Sequence, residues 1–227
     1  LARRPSWPGL PYLREKSEDA FASASTNDLA ALFAYGPAQT AEGVLLQARF
    51  LERQNREDEA KALVIKAWTS MAVGPGAHDA FLDRYGRLLR AHHEDRMDFV
   101  LWQGWENNTS RMMPLVNDGW KRLAKARLGL RQQVNGVDDL IAAVPANLRD
   151  HPGLNYERFL WRARKNRDAS AIELLLSESE AGKLGGAEEW AGRRRGLARE
   201  KMRDGAYGTA YRIAATHGLS PDVGYAY

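Results

Sequence analysis

Cysteine is absent from this chain of 227 residues. Its absence excludes disulfide bonds, and it excludes every metal site or nucleophile that depends on a thiolate. A chain without cysteine suits an oxidising compartment, where stray thiols are harmful, but many cytosolic proteins also lack it. Cysteine usage therefore limits the chemistry of the protein more firmly than it limits its location.

Long apolar runs are also missing, since the longest are only a few residues, such as Leu174 to Leu176. A membrane-spanning helix needs about 20 apolar residues, so we predict no span. The first residues, 1–13, lack the apolar segment of a signal peptide. Because the chain begins with Leu1 and not with Met, we expect both ends to be cut from a longer chain.

The charge excess is small, with 33 basic and 29 acidic residues and a net charge of +4. Most charges lie close in sequence to charges of the opposite sign, which is typical of solvated helix faces. A nucleic-acid partner would require a larger excess and a base-reading motif, so we predict none. An anionic glycan or an acidic partner surface fits this balance better.

Signatures of catalysis and of cofactor binding are lacking as well. No glycine-rich phosphate loop and no nucleophile elbow occurs. The histidine pair His92-His93 is a poor metal site, because adjacent side chains on a helix point about 100° apart. We interpret this pair and the isolated His78 as turn or cap residues. We therefore assign no catalytic residue, no metal and no cofactor.

Helical patterns dominate what is present. In one segment Ala60, Val64 and Ala67 follow the spacing of a buried helix stripe. Patterns of alternating apolar and polar residues, which would indicate strands, are nearly absent. The predicted helices cover residues 12–22, 27–33, 41–54, 57–71, 77–91, 94–104, 110–116, 120–132, 137–144, 156–165, 169–180, 188–203 and 207–216, with a turn at Asn107-Asn108-Thr109.

One helix-hairpin pattern recurs three times. An arginine near the end of a first helix is followed by an alanine and then by a leucine or isoleucine in a second helix. Units of this kind cannot bury their apolar faces alone, so they stack into solenoids. We predict an all-α fold, an α-superhelix of stacked helical hairpins (TPR-like), as a single domain over residues 1–227. The three sets are Arg53, Ala60 and Leu63; Arg164, Ala171 and Leu174; and Arg203, Ala210 and Ile213.

The recurrent arginines Arg53, Arg164 and Arg203 are the candidate site residues. One interpretation is structural, because a cation near a helix carboxyl end offsets the partial negative charge there. The other is functional: a ladder of positive charge along one face of the superhelix would meet carboxylates of a glycan or of a protein partner. The tryptophans lie mainly in apolar stripes, which favours a packing role over sugar stacking.

Several segments resemble the superhelical region of soluble lytic murein transglycosylases of the α-proteobacterial type. The clearest is residues 199–225, with Ala210-Tyr211-Arg212-Ile213 followed by His217-Gly218-Leu219. Residues 7–11, 141–145 and 152–162 are similar to the same region, in the order of the family. The resemblance implies a ring- or horseshoe-shaped α-superhelix that precedes a lysozyme-like domain cleaving the MurNAc–GlcNAc bond of peptidoglycan to 1,6-anhydro ends.

The catalytic signature of that family is not matched here. It consists of a Glu-Ser pair followed by Gly-Leu-Met-Gln and later by Met-Pro. This chain has Glu178-Ser179 without Gly-Leu-Met-Gln, and its Met113-Pro114 precedes the pair. We therefore interpret Glu178 as a solvated carboxylate at a helix end, and we expect the catalytic domain to be missing from this chain.

The resemblance implies a non-catalytic scaffold of a periplasmic peptidoglycan lyase, with glycan strands or a cell-wall protein as its partner. The alternative is a freestanding TPR-like adaptor that binds a protein segment. TPR units repeat about every 34 residues, and the three sets are not spaced at multiples of that period. The spacing disfavours the adaptor without excluding it.

Overall fold

The computed structural model describes residues 8–224, and the helix is the only regular structure among them. The prediction of an all-α fold is confirmed. Trp7 and Tyr225, which belong to two of the segments that resemble the family, lie outside the described residues. No helix in the described part of the chain has the length and apolarity that crossing a bilayer requires.

The helices follow one another with short connections. In the described part of the chain, 3₁₀ turns at Glu18–Phe21, Arg90–His92, Met113–Leu115 and Ala146–Leu148 lie between them. Numbered along the chain, the α-helices of residues 8–224 are α1 Leu10–Ser17, α2 Thr26–Phe33, α3 Ala41–Arg53, α4 Glu57–Ser70, α5 Pro75–Leu89, α6 His93–Gln103, α7 Glu106–Met112, α8 Asp118–Gln132, α9 Val137–Ala142, α10 Pro152–Arg164, α11 Asp168–Glu180, α12 Ala187–Arg203, α13 Tyr207–Ala215 and α14 Pro221–Gly224.

The predicted turn at Asn107-Asn108-Thr109 is wrong, because these residues lie inside α7. The Thr109 amide and the Thr109 hydroxyl both donate to the Trp105 carbonyl, at 2.8 and 3.0 Å. Asn and Thr favour turns because their side chains bind nearby backbone groups, and the first turn of a helix offers them the same bonds. The chain reverses instead at Gly104, whose φ is +71°.

The three recurrent hairpins, α3–α4, α10–α11 and α12–α13, share one connection of three residues. Its middle residue is left-handed in each case: Asn55 at φ 57°, Asn166 at 55° and Gly205 at 75°. The next amide donates to a carbonyl in the last turn of the first helix, at 2.9–3.0 Å. This is a Schellman-type ending, which satisfies carbonyls that the helix leaves open. The recurrence seen in the sequence is thus a recurrence of one turn geometry.

The recurrent alanines lie on the buried sides of the second helices. Ala60, Ala171 and Ala210 are 1%, 0% and 4% exposed. Within each hairpin the two helices pack against each other. A small side chain at the contact lets the helix backbones approach, and a larger one would have to displace its neighbours.

The described residues divide into two compact units. The first comprises residues 8–99 and 110–115, and the second comprises residues 100–109 and 116–224. In the first unit Trp68 and Phe81 are fully buried, and in the second Phe159 stacks on Trp190 with ring centroids 4.9 Å apart. Each unit therefore has its own core. The single domain over residues 1–227 stays a prediction.

Buried arginines bind carbonyls at chain reversals in both units. In the first unit Arg14 donates to the carbonyl of Tyr35 and to that of Gly36, both at 2.8 Å. In the second, Arg194 is 0% exposed and donates to the carbonyls of Ile213 and Thr216, both at 2.9 Å. A helix leaves its last carbonyls without partners, and a guanidinium supplies several donors in one plane. Arg194 thus holds the end of α13 in the core, and Arg14 holds the turn that follows α2.

Candidate binding surface

Three arginines form a row on the outer face of α12. Arg195, Arg199 and Arg203 are spaced four residues apart, which places them within about 80° of arc on a helix. Trp190 and Leu197, on the opposite side of the same helix, are 0% exposed. Because that side is packed into the core of the second unit, the arginine row faces outward, and Arg199 and Arg203 are exposed.

Neither Arg199 nor Arg203 makes a hydrogen bond or an ion pair with a described residue. Like charges four residues apart on a helix repel each other, so the pair weakens the helix slightly instead of stabilising it. Gly192 and Gly196 lie on the same side, and a β-carbon at either would meet nothing within 4 Å. This face of α12 is therefore open to solvent, and the N–H donors of the Arg199 and Arg203 guanidinium groups are available to a ligand.

Two tyrosines extend the exposed surface of the same hairpin. Tyr207 and Tyr211, four residues apart on α13, are 69% and 74% exposed. Ala210 and Ile213 turn the other side of that helix into the core, at 4% and 0% exposure. Tyrosine joins a wide apolar ring to a hydroxyl, which suits contact with a sugar or with a protein surface. We call Arg199, Arg203, Tyr207 and Tyr211 the α12–α13 surface.

The three candidate arginines occupy equivalent places, since Arg53, Arg164 and Arg203 are the last residues of α3, α10 and α12. All three are exposed. Arg164 donates through Nη1 to the Arg131 carbonyl near the end of α8, at 3.3 Å, which is the helix-end role. Arg53 and Arg203 make no such bond with the described residues. A charge ladder through all three stays a prediction.

The arginine pair of α12 has a counterpart at the end of α3. Arg49 and Arg53 are exposed, four residues apart, and without a bond to a described residue, like Arg199 and Arg203. Arg53 belongs to the first unit and Arg203 to the second. Of these four arginines, only Arg53 and Arg203 were candidate site residues from the sequence, although Arg49 and Arg199 stand four residues before them in the same recurrent pattern.

The expectation of a solvated Glu178 is wrong. Glu178 is only 9% exposed, and its Oε2 has no hydrogen-bond partner. The adjacent Ser179 hydroxyl accepts from Arg194 Nη2 and donates to the Leu175 carbonyl, each at 2.5 Å. The pair faces inward because α11 packs against both α12 and α13. Ser179 therefore serves the packing of this unit, holding the buried guanidinium of Arg194 in place.

Two of the histidines lie in the core of the first unit. His78 lies inside α5, contrary to the turn or cap role that we expected, whereas His93 follows the 3₁₀ turn Arg90–His92 as expected but is buried. His78 and His93 are 4% and 8% exposed, and their rings lie 5.2 and 5.8 Å from the Trp68 ring. Burial, followed by the charges of Arg96 and Arg111, lowers the pKa of His78 to about 4. Burial also lowers the pKa of His93. His92 is the surface member, 3.3 Å from Asp95.

No group of three or more potential ligands is positioned to hold a metal ion within residues 8–224. The tryptophans of the core bear out the packing interpretation, since Trp68 and Trp190 are fully buried. The Trp190 indole N–H donates to the Leu184 carbonyl at 2.9 Å, which satisfies its one donor. These rings are not available to stack on a sugar.

Comparison with protein families, with curated proteins and with solved structures finds no match to this chain.

Proposed function

We propose that this chain is the non-catalytic superhelical region of a periplasmic peptidoglycan lytic transglycosylase, where it positions glycan strands or docks a cell-wall protein. The observation that carries the proposal is the α12–α13 surface, which combines two unpaired guanidinium groups with two exposed tyrosine rings. The repeated hairpins support the scaffold role, because helices that pack mainly on their sequence neighbours are typical of helical repeats.

The chemistry of peptidoglycan suits such a surface. Its stem peptides carry carboxylates, which a guanidinium binds through two parallel hydrogen bonds. Its sugar rings present apolar faces that an aromatic ring can cover. A single exposed ion pair contributes only about 0–1 kcal/mol, so one contact would bind weakly. A polymer that repeats the same groups allows many weak contacts at once, which raises the overall affinity.

The second candidate, a protein-binding adaptor, has one observation in its favour. Met202, at 57% exposure, adds an apolar side chain near the end of α12 to the exposed rings of Tyr207 and Tyr211 in the next helix. Exposed apolar side chains of this kind suit a protein partner. The lack of a regular TPR period weighs against this candidate.

Co-sedimentation of the chain with purified, insoluble peptidoglycan sacculi tests the first candidate. We expect the chain to pellet at low salt and to pellet less at moderate salt, because exposed charge contacts are screened. The double variant Arg199→Gln/Arg203→Gln should lose most of the pelleting. Its matched control is Arg90→Gln/Lys125→Gln, which removes two exposed positive charges elsewhere. No pelleting of the wild-type chain at either salt would rule out binding to the sacculus.

Two further readouts assign the contact. Amidase treatment of the sacculi removes the stem peptides, and we expect it to weaken binding if the arginines meet their carboxylates. Binding that survives the treatment but is lost in Tyr207→Ala/Tyr211→Ala would place the contact on the sugar rings. Mass analysis should detect no anhydro-muropeptides, and their appearance would contradict the packing role that we assign to Glu178-Ser179.

A further inference from the structure

The first unit contains an open groove where α3 ends, α4 begins and α5 ends. Its volume is about 840 Å³, within the range of sites that bind small molecules. No residue of the α12–α13 surface takes part in it. Its lining residues are Glu52, Glu57, Lys61, Arg84, Tyr85, Arg87 and Leu88.

The floor of this groove is a closed hydrogen-bond network around Glu52. The Tyr85 hydroxyl donates to Glu52 Oε1 at 2.9 Å, and Arg84 Nη2 forms an ion pair with Oε2. Arg84 Nε donates to the Tyr85 hydroxyl oxygen at 3.1 Å. Burial raises the pKa of Tyr85, so its hydroxyl keeps the proton that it donates. Because both oxygens of Glu52 are engaged, the floor is fixed in place and its charges are paired.

The rim of the groove carries two charges of opposite sign that are not paired. Glu57, in the first turn of α4, and Arg87, in the last turn of α5, are both exposed. Neither forms a hydrogen bond or an ion pair with a described residue. Lys61, the other charge on the α4 side, is held by Asp58 at 2.9 Å. The half-buried Leu88 adds an apolar side chain to the lining.

Each of these two charges also complements its own helix end, since an anion favours an amino end and a cation a carboxyl end. That effect accounts for the sign of each charge. It does not account for the placement of both on one groove whose other ionised groups are already paired. A ligand that carries one ammonium and one carboxylate would give each of these two charges a partner of opposite sign, and an apolar portion of the ligand could contact Leu88.

We propose that this groove binds a short zwitterionic peptide, whose ammonium pairs with Glu57 and whose carboxylate pairs with Arg87. The proposal is independent of the cell-wall role, because it rests on a different surface and on a different unit of the chain. The volume of the groove admits several amino-acid residues, and its openness leaves room for side chains of varied size.

Isothermal titration calorimetry of the full chain tests the proposal with trialanine, N-acetyl-trialanine and trialanine amide. We expect trialanine to bind and each capped peptide to bind about tenfold more weakly, the effect of losing one charge-assisted hydrogen bond. The Glu57→Gln variant should bind trialanine and N-acetyl-trialanine equally well, because it has lost the partner of the ammonium. The Arg87→Gln variant should bind trialanine and trialanine amide equally well, because it has lost the partner of the carboxylate. Each variant would then have lost its preference for one charge.

Matched controls exist on α4 and directly after the end of α5. Glu59→Gln and Arg90→Gln remove exposed charges next to the groove, and neither residue lines it. Both controls should bind trialanine as the wild-type chain does. The proposal is overturned if trialanine gives no binding heat, if the capped peptides bind as tightly as the free one, or if the controls weaken binding as much as Glu57→Gln and Arg87→Gln.

Discussion

Arginine has two separate roles in this protein. At chain reversals inside the core, Arg14 and Arg194 donate to open carbonyls. On the surface, Arg199 and Arg203 donate to no described residue and leave their guanidinium groups to the solvent. Composition alone counts all of them as one basic excess. An arginine on a buried helix face stabilises the fold, and an arginine on an exposed face is available to a ligand. The position of each residue on its helix therefore decides its role.

The buried His78 predicts a loss of stability in acid. Its pKa is about 4 in the folded chain, held down by burial and by Arg96 and Arg111, against an ordinary value of 6.5. The unfolded chain therefore binds a proton that the folded chain excludes, and stability should fall as the pH drops from about 6.5 to about 4. We expect the free energy of unfolding to decrease by about 3 kcal/mol from this residue.

The variant His78→Phe checks this origin, because it keeps a ring against Trp68 and cannot bind a proton. Urea unfolding at pH 7 and at pH 4.5 should show a smaller pH difference in the variant than in the wild-type chain. His93, whose pKa is also lowered by burial, leaves a residual slope. An unchanged pH difference in the variant would show that other groups cause it.

Helix ends determine how the elements follow one another. In each of the three recurrent hairpins, a residue in the left-handed conformation follows the first helix: Asn55, Asn166 or Gly205. A different device begins α3, where the buried Glu18 accepts from the amides of Gln39 and Thr40, both at 2.8 Å. Most of the helices were predictable from the spacing of apolar residues, and the Schellman turns agree with it. The role of Glu18 was not predictable from the sequence, because the amides that it binds lie more than 20 residues further along the chain.

Substitutions at the left-handed positions should show how much backbone strain at a positive φ, as distinct from side-chain contacts, contributes to stability. Asn166→Ala should lower the free energy of unfolding by about 1 kcal/mol, since a left-handed φ is costly for a residue with a β-carbon and no local side-chain bond. Asn166→Gly should be neutral or slightly stabilising. Gly205→Ala is the parallel test, since nothing lies within 4 Å of the added carbon. Urea titrations measure all three, and equal values for Ala and Gly at position 166 would contradict the argument.

At the scale of the whole molecule, residues 8–224 form two units, each with its own core. Short connections and packing between sequence neighbours make each unit a set of local contacts, which favours opening of one part without the other. In the second unit Arg194 ties the end of α13 to α11, through its bonds to the Ile213 carbonyl and to the Ser179 hydroxyl. Removing this guanidinium leaves buried carbonyls without donors.

Arg194→Gln should therefore lower the free energy of unfolding of the second unit by about 3 kcal/mol. Hydrogen exchange followed by mass spectrometry should show lost protection in α11, α12 and α13 and unchanged protection in α3, α4 and α5. The neighbouring Arg193→Gln is the control, since Arg193 is exposed and its bonds are long, at 3.4 Å. Equal loss in both units would show that they open together.

The sequence by itself determined the helical class, most helix positions and the recurrent hairpin, because these depend on the periodicity of apolar residues and on local turn chemistry. It also singled out Arg53, Arg164 and Arg203 by position. Only the tertiary structure decided that Arg164 binds a helix-end carbonyl, that Glu178 and His78 are buried, and that Glu57 and Arg87 share one groove. Burial and pairing depend on which helix faces meet, and residues far apart in the chain settle that.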